Sequence, residues 1–369
     1  MALVKFPHKV GFYSTLKARV DEEFNHSHGS QKGNWPMIGK AAIILGGYIA
    51  SYVALVFFCS NLWLAIALGF VLSQFYVMVG FGIQHDGTHE SFSRHKWVNR
   101  LAGMGLDFLG ASSTMWKYRH NFVHHTYTNI AHVDDDLETL NILRLSPHHD
   151  WKPWHRFQHL YCFLVYGILA VFWIYVSDFQ KLQSGKLGKY NIPDFSVADK
   201  VVLFGGRILF ISYSMILPSF FHPFWQVVVA NALILMVVGI NLSLVFNLAH
   251  VTGDNEYPQP ENGEIENEWA IHQVVTAANF AAHNPWVSWY TGGLNCQIEH
   301  HLFPTICHIH YPRLCKIVEQ TCGEFGVPYV SYPTVMEALA CHLQFLKDLG
   351  QPDSVASVPM AVPVDVVGR

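Results

Sequence analysis

The sequence predicts an all-α integral membrane fold. Four transmembrane helices form two hairpins, with interfacial helices beside them and a histidine-rich cap on the cytoplasmic side. Three observations carry that expectation. Only 14% of residues are charged and 51% are apolar, against about 25% charged in an ordinary soluble chain. Four apolar runs approach the roughly 20 residues that a bilayer core demands. The 23 histidines equal Lys and Arg combined, and many fall just beyond the ends of those runs. A net charge of −4 is small and argues against nucleic-acid binding. The seven cysteines make no C-x-x-C pair or regular framework, so they read as free thiols.

Residues 1–36 are polar, and the first apolar run begins too late for a cleaved signal peptide; they read as a cytoplasmic amphipathic arm. His26 and His28 within it are expected to be solvated. Residues 41–59 and 62–84 form the first hairpin, broken at Ser60-Asn61. Its turn holds no Lys or Arg, which places it outside under the positive-inside rule and returns both open ends to the cytoplasm. Trp97 to Met115 is Gly-rich and amphipathic, an interfacial stretch rather than a span. Asp134, Asp135 and Asp136 begin what reads as a solvated acidic loop reaching Trp154, with a role at or behind a metal for one of them as the alternative.

Residues 201–221 and 224–249 form the second hairpin, joined at His222-Pro223, and Arg207 lies near enough to its inner end to snorkel. A further apolar run at 160–176, ended by Ser177-Asp178, is placed in the interface or as a re-entrant segment. A third crossing there would put the flanking histidine clusters on opposite sides of the membrane. The linker with Lys181, Lys186, Lys189 and Lys200 is then cytoplasmic. Beyond a polar loop at 251–268, amphipathic helices are expected near 313–325 and 333–349. Residues 37–350 read as one domain, and the Pro/Val/Ser-rich tail at 351–369 as disordered.

The histidines supply the chemistry. On a helix, His85 and His89 share a face, as do His120 and His124, while His125 lies one step round and serves a neighbouring position. Gln297, His300 and His301 share a face at i, i+3, i+4. His250 ends the fourth span as His85 ends the second. Paired imidazoles at this spacing suit transition metals. Eight of them exceed the three or four ligands of a zinc site and suit two metals, with iron the better fit and oxygen activation the chemistry. Gln297 and Asp86 are candidates for binding a metal weakly, holding a water or standing behind the ligands. His155 and His159 are also spaced i, i+4, but their Trp and Lys neighbours point to headgroup contact, and they are left out.

Together, HDGTH at 85–89, HNFVHH at 120–125 and QIEHH at 297–301 resemble the three histidine boxes of membrane fatty-acid desaturases. Gln297 in place of the first histidine of the third box resembles the front-end group. So do the strings Trp116-Lys117-Tyr118-Arg119 before the second box, Gly292-Gly293-Leu294-Asn295 before the third, and His308-Ile309-His310-Tyr311-Pro312 after it. The likeness covers roughly residues 10–350 and is nearest to bacterial and cyanobacterial Δ6 acyl-lipid, linoleoyl-type enzymes. It implies that His85, His89, His120, His124, His125, His300 and His301, with His250 as an eighth, bind two iron ions. It further implies O2 as co-substrate and an unsaturated acyl chain on lipid or CoA as substrate. The sequence holds no His-Pro-Gly-Gly haem motif, so an external donor is expected, ferredoxin ahead of cytochrome b5. A cationic docking patch would draw on Lys117, Arg119, Arg313 and Lys316. Other regioselectivities (Δ5, Δ8 or sphingoid base) and hydroxylation stand as alternatives on the same scaffold. A His-rich metal transporter would instead carry its ligands at mid-membrane.

Overall fold

The computed structural model describes residues 4–26, 29–187 and 190–352; His28, Lys189 and the expected disorder from 353 onward lie outside them. These residues divide into two compact units. One takes in the chain up to Gln31, then Arg119–Cys162 and the residues from Val245; the other is Lys32–Tyr118 with Phe163–Leu244.

The second unit carries most of the long apolar helices. Trp35–Phe57 starts at Asn34, whose side chain accepts from the Met37 amide, with a proline in the first turn. Leu62–Met78 starts at Asn61, which accepts from Leu64 N at 3.0 Å. An asparagine at each N-cap satisfies amides that the helix itself leaves unpaired, so the break expected at Ser60-Asn61 is where one helix ends and the next begins. Large apolar side chains cover the outward faces of these helices, with Trp63 79% exposed. A patch of that kind has no stable place in water. Five helices are long and apolar enough to cross a bilayer, one more than expected: Trp35–Phe57, Leu62–Thr88, Pro153–Ser184, Val197–Phe220 and Phe224–His250.

Two expectations need correction. The run at 160–176 does not end at Ser177-Asp178: it passes through a π turn at Trp173–Ser177 and continues as a helix to Ser184. Nor does Arg207 snorkel. It is 6% exposed and pairs with Asp178, which also accepts from Ser112 N at 3.1 Å and Trp173 Nε1 at 2.9 Å. A charge buried among three donors no longer stops a helix, which is why the sequence misleads at both positions. Between the hairpins, Lys96–Gly103, Gly105–Phe108 and Ser113–Trp116 are short helices, none long enough to span. The first box packs tightly on the first of these, since a Cβ on Gly87 would lie 2.4 Å from Gly103 N.

The first unit has its own core. Phe12, Leu16, Val20 and Phe24 recur every four residues along the helix Phe12–His26 and bury one stripe. They pack with Ile271 and Val274 of Trp269–Val275, Ile298 and Leu302 of Gln297–Leu302, and Leu314 and Val318 of Tyr311–Phe325. The Glu268 carboxylate accepts from Val10 N at 2.8 Å and Tyr13 N at 3.1 Å, fixing the start of that N-terminal helix. His26 on the same helix is exposed, beside Glu22. The amphipathic helices expected near 313–325 and 333–349 are found at Tyr311–Phe325 and Val335–Leu349.

Candidate metal centre

Three stretches of the first unit bring six histidines together. His120, His124 and His125 come from the second box, which enters a π turn at Lys117–His124 before a short α turn at His125–Tyr127. In a π turn the hydrogen bonds run i to i+5, so both His124 and His125 come round beside His120. The ring centroids of His120 lie 5.2 Å from His124 and 4.7 Å from His125, and the Nε2 atoms of His120 and His125 face each other at 3.2 Å. The sequence expectation of an α-helical face, with His125 turned to a neighbouring position, is corrected accordingly.

His250 ends the helix Phe224–His250. His300 and His301 lie on the six-residue helix Gln297–Leu302. Asn279 pins that helix, accepting from Ile298 N at 3.0 Å and donating to the Glu299 carboxylate at 2.8 Å. Glu299 thus points to Asn279 and to the Tyr329 hydroxyl at 3.0 Å, a structural role. Gly293, with φ of 75°, lets the preceding turn press on the chain that follows the helix. A Cβ there would sit 2.7 Å from His308 Cβ and 3.1 Å from the Tyr311 ring.

All six imidazoles are at least 95% buried, and four share one wiring. The Nδ1–H of His124 donates to Asp134 Oδ2 at 3.0 Å, that of His250 to the Thr276 carbonyl at 3.1 Å, that of His300 to the Tyr311 hydroxyl at 3.1 Å, and that of His301 to Gln273 Oε1 at 2.8 Å. The oxygens of Asp134, Thr276 and Gln273 can only accept, so three of these bonds fix a tautomer that leaves Nε2 as the lone-pair donor, the arrangement in which a histidine presents itself to a metal; the Tyr311 hydroxyl can take either role. One ring nitrogen from each of His124, His250 and His301 lies within 4.8 Å of those of the other two. His124 Nε2 is buried with no hydrogen-bond partner, a costly state for a nitrogen lone pair unless something binds it. These residues fit a transition-metal ion.

The acidic segment expected to be a solvated loop is part of this site. Asp134 is fully buried; its Oδ2 also accepts from Asn129 N at 3.1 Å, and its Oδ1 from Asp136 N at 3.1 Å. Burial is the largest influence on His124 and works to lower its pKa. The charge and hydrogen bond of Asp134, helped by Asp136, outweigh it and leave the imidazole above its ordinary value. Burial likewise works to raise the Asp134 carboxyl, and the facing His124 wins, holding it below the usual carboxylate range. A more basic imidazole is a stronger metal donor. Asn129, at φ of 60°, a conformation asparagine tolerates better than most residues, ties the site together. Its amide reaches the carbonyls of His250 at 2.9 Å and Thr276 at 3.2 Å.

Gln297 is close to this group, with its Nε2 2.9 Å from His250 Nε2 and 3.4 Å from His301 Nε2. His85 and His89 belong to the second unit, where both are buried on the turn of the first box with ring centroids 4.7 Å apart; Asp86 between them is 1% exposed. His155 is wired elsewhere: its Nδ1 accepts from Lys152 N at 3.1 Å and its Nε2 donates to the Asn141 carbonyl at 2.9 Å, which supports leaving it out. Gln273, Thr276 and Tyr311 had no signal as individual site residues, although Tyr311 sits in the run that follows the third box; Asp134 had one only as a member of the acidic run. Arg119 does not extend a free cationic patch, because it pairs with Asp135 at 3.2 Å and with Asp136. Arg313 stacks on Phe24, 4.2 Å from the ring centroid.

Fold and site together describe a helical membrane protein with a buried histidine cluster that fits a transition metal. The family model for fatty acid desaturases matches residues 61–333, and the chain belongs to that family. It is 37% identical over 352 residues to an sn-1 linoleoyl-lipid 6-desaturase of Arthrospira platensis, covering 94% of both chains. It is 37% identical over 354 residues to the enzyme of the same name from Synechocystis sp., covering 94% of this chain and 98% of that one. An acyl-lipid (8-3)-desaturase of Physcomitrium patens is 36% identical over 346 residues, covering 92% of this chain and 72% of its own length.

Proposed function

We propose that this protein is a front-end desaturase that inserts a cis double bond at the Δ6 position of a linoleoyl-type chain carried on a glycerolipid. The observation that carries the reading is Gln297 standing in the third box, within hydrogen-bond reach of His250. The names of the two cyanobacterial relatives support both the Δ6 position and the lipid carrier, in preference to CoA.

In this reading His85, His89, His120, His124, His125, His250, His300 and His301 hold two iron ions, with Asp86 and Gln297 behind them. Iron held there would supply the activation of O2 needed to break unreactive methylene C–H bonds. The chain's own residues do the rest. Asp134, Gln273, Thr276 and Tyr311 orient imidazoles by holding their Nδ1 protons, and burial keeps bulk water from the reacting centre. Overall, one O2, two electrons and two protons are consumed, two adjacent methylenes each lose a hydrogen, and two waters form. The electrons come from a donor outside this chain, ferredoxin ahead of cytochrome b5. Four spans in two hairpins, with residues 160–176 in the interface or re-entrant although their helix is long enough to cross, would keep all the boxes on the cytoplasmic face. The desaturase domain occupies 37–350, preceded by a cytoplasmic arm.

The test is expression in a host supplied with linoleic acid, with methyl esters separated by gas chromatography and bond positions read by mass spectrometry. A γ-linolenic peak, lost in His124→Ala while the variant still inserts, is the expected result. A hydroxylated product would overturn desaturation. A bond at another position would support the second reading, a different regioselectivity, which the (8-3)-desaturase relative favours.

A further inference from the structure

We propose that His132, Glu138 and His149 form a second metal site, distinct from the histidine boxes, for a divalent transition cation of the zinc class. All three lie in the first unit, and one donor atom from each falls within 4.8 Å of the other two. His132 Nδ1 is 3.4 Å from Glu138 Oε1, and His149 Nε2 is 3.2 Å from the same oxygen. A tetrahedral ion with bonds of about 2.0–2.1 Å sets its donors about 3.3 Å apart, so two edges of the polyhedron are already in place. The remaining nitrogen–nitrogen edge is within 4.8 Å, with the two ring centroids 5.1 Å apart, and has to shorten on binding.

Three features separate this cluster from an ordinary surface ion pair. His149 is 93% buried by its 7% exposure, and its Nε2, aimed at Glu138, lacks the alignment of a hydrogen bond and makes no other. His132 is held at φ of 62°, a left-handed conformation that costs a non-glycine residue about 1–2 kcal/mol, and its amide donates to Glu138 Oε1 at 3.1 Å. Its side chain is 54% exposed and that of Glu138 37%, so a cation enters from solvent. Two imidazoles and a carboxylate leave a fourth position for water. His132 and Glu138 flank Asp134 in sequence, so a cation here braces the segment that orients His124.

The test uses the full chain, purified in detergent, loaded with iron and equilibrated with Zn2+, with both metals counted per chain by mass spectrometry and unfolding followed by Tm. Expected is one zinc per chain beyond the iron, with a zinc-dependent rise in Tm. Co2+ in place of Zn2+ should show the visible bands of a tetrahedral ion. Both His132→Asn, chosen because asparagine tolerates the left-handed backbone, and Glu138→Gln should weaken zinc binding on the order of tenfold or more. Their iron content and zinc-free Tm should stay as in the unmodified protein. No zinc beyond that exchanging with iron, or equal zinc affinity in both variants, would overturn the proposal. Zinc lost in His124→Ala but kept in His132→Asn would belong to the boxes and overturn it equally.

Discussion

Asp134→Asn tests whether the carboxylate behind His124 sets the strength of the metal site. Asp134 receives three donors: His124 Nδ1–H and Asn129 N–H on Oδ2, and Asp136 N–H on Oδ1. Asparagine has the same shape but offers one oxygen and one NH2. If the NH2 faces Asp136 N, two donors confront each other in a fully buried place, at a cost of about 1–3 kcal/mol. If it faces His124, the imidazole must accept at Nδ1, which moves its proton to Nε2 and blocks the nitrogen meant for metal. The first arrangement costs stability with and without metal and removes the charge that makes His124 more basic; the second takes about 1–3 kcal/mol from metal binding, roughly 5- to 150-fold in affinity, in line with the roughly 10–100-fold typical of such supporting partners. The assay is iron retention against a chelator of known affinity, alongside desaturation turnover and the Tm of the metal-free protein. Wild-type iron affinity and turnover in the variant would refute the argument. So would an iron loss that merely tracks unfolded protein.

Gln297→His should retain iron but change rate or product profile, because it places a further imidazole beside His250 and His301; an unchanged profile at unchanged rate would remove Gln297 from the chemistry. Arg207→Met leaves the Asp178 carboxylate buried without its counter-charge and should cost about 3–5 kcal/mol, seen as a Tm fall of several degrees that Asp178→Asn in the same chain largely reverses. An unchanged Tm would mean that Arg207 reaches water after all. Burial pushes His342 down to about 4, against the Val251 carbonyl that its Nδ1–H meets at 2.7 Å. Its unfolded value is about 6.5, so the unfolded chain takes up the proton first. That stabilising share is whole above pH 6.5 and lost as pH falls towards 4, up to about 3 kcal/mol at about 1.4 kcal/mol per pH unit. His342→Gln should therefore flatten the Tm profile between pH 5 and 7, and a profile as steep as wild type would refute the assignment.

The long helices and the boxes were legible because both are local signals. An apolar run with Asn61 at its break marks two helix ends without any knowledge of what packs on them, and HDGTH or QIEHH is a chemical statement in five residues. What failed was non-local. Arg207 looked as if it must reach water because its partner, Asp178, is 29 residues away in sequence. The same pairing let the helix continue through a position that reads as a stop. Asp134 looked solvated because acidic runs usually are, and nothing near it in sequence announces that His124 and two backbone amides satisfy it. Gln273 and Thr276 are ordinary residues that become site residues only when Trp269–Val275 packs beside the third box.

The misreading of His125 has a different origin. An α-helix turns 100° per residue, so a residue five positions on from His120 would stand about 140° away from it. The π register spreads each turn over more residues and closes that gap, giving the second box two imidazoles beside His120 instead of one. A π turn also precedes the first box, at Val79–Gln84, where the His85 amide bonds to the Gly80 carbonyl. Such turns are frequent at functional sites, although this chain also carries them away from the histidines, at Trp173–Ser177 and Ser212–Ile216. Adjacent histidines do not announce the π register by themselves, because His300 and His301 reach the same cluster from an α-helix; it is the π turn at Lys117–His124 that brings both His124 and His125 round to His120.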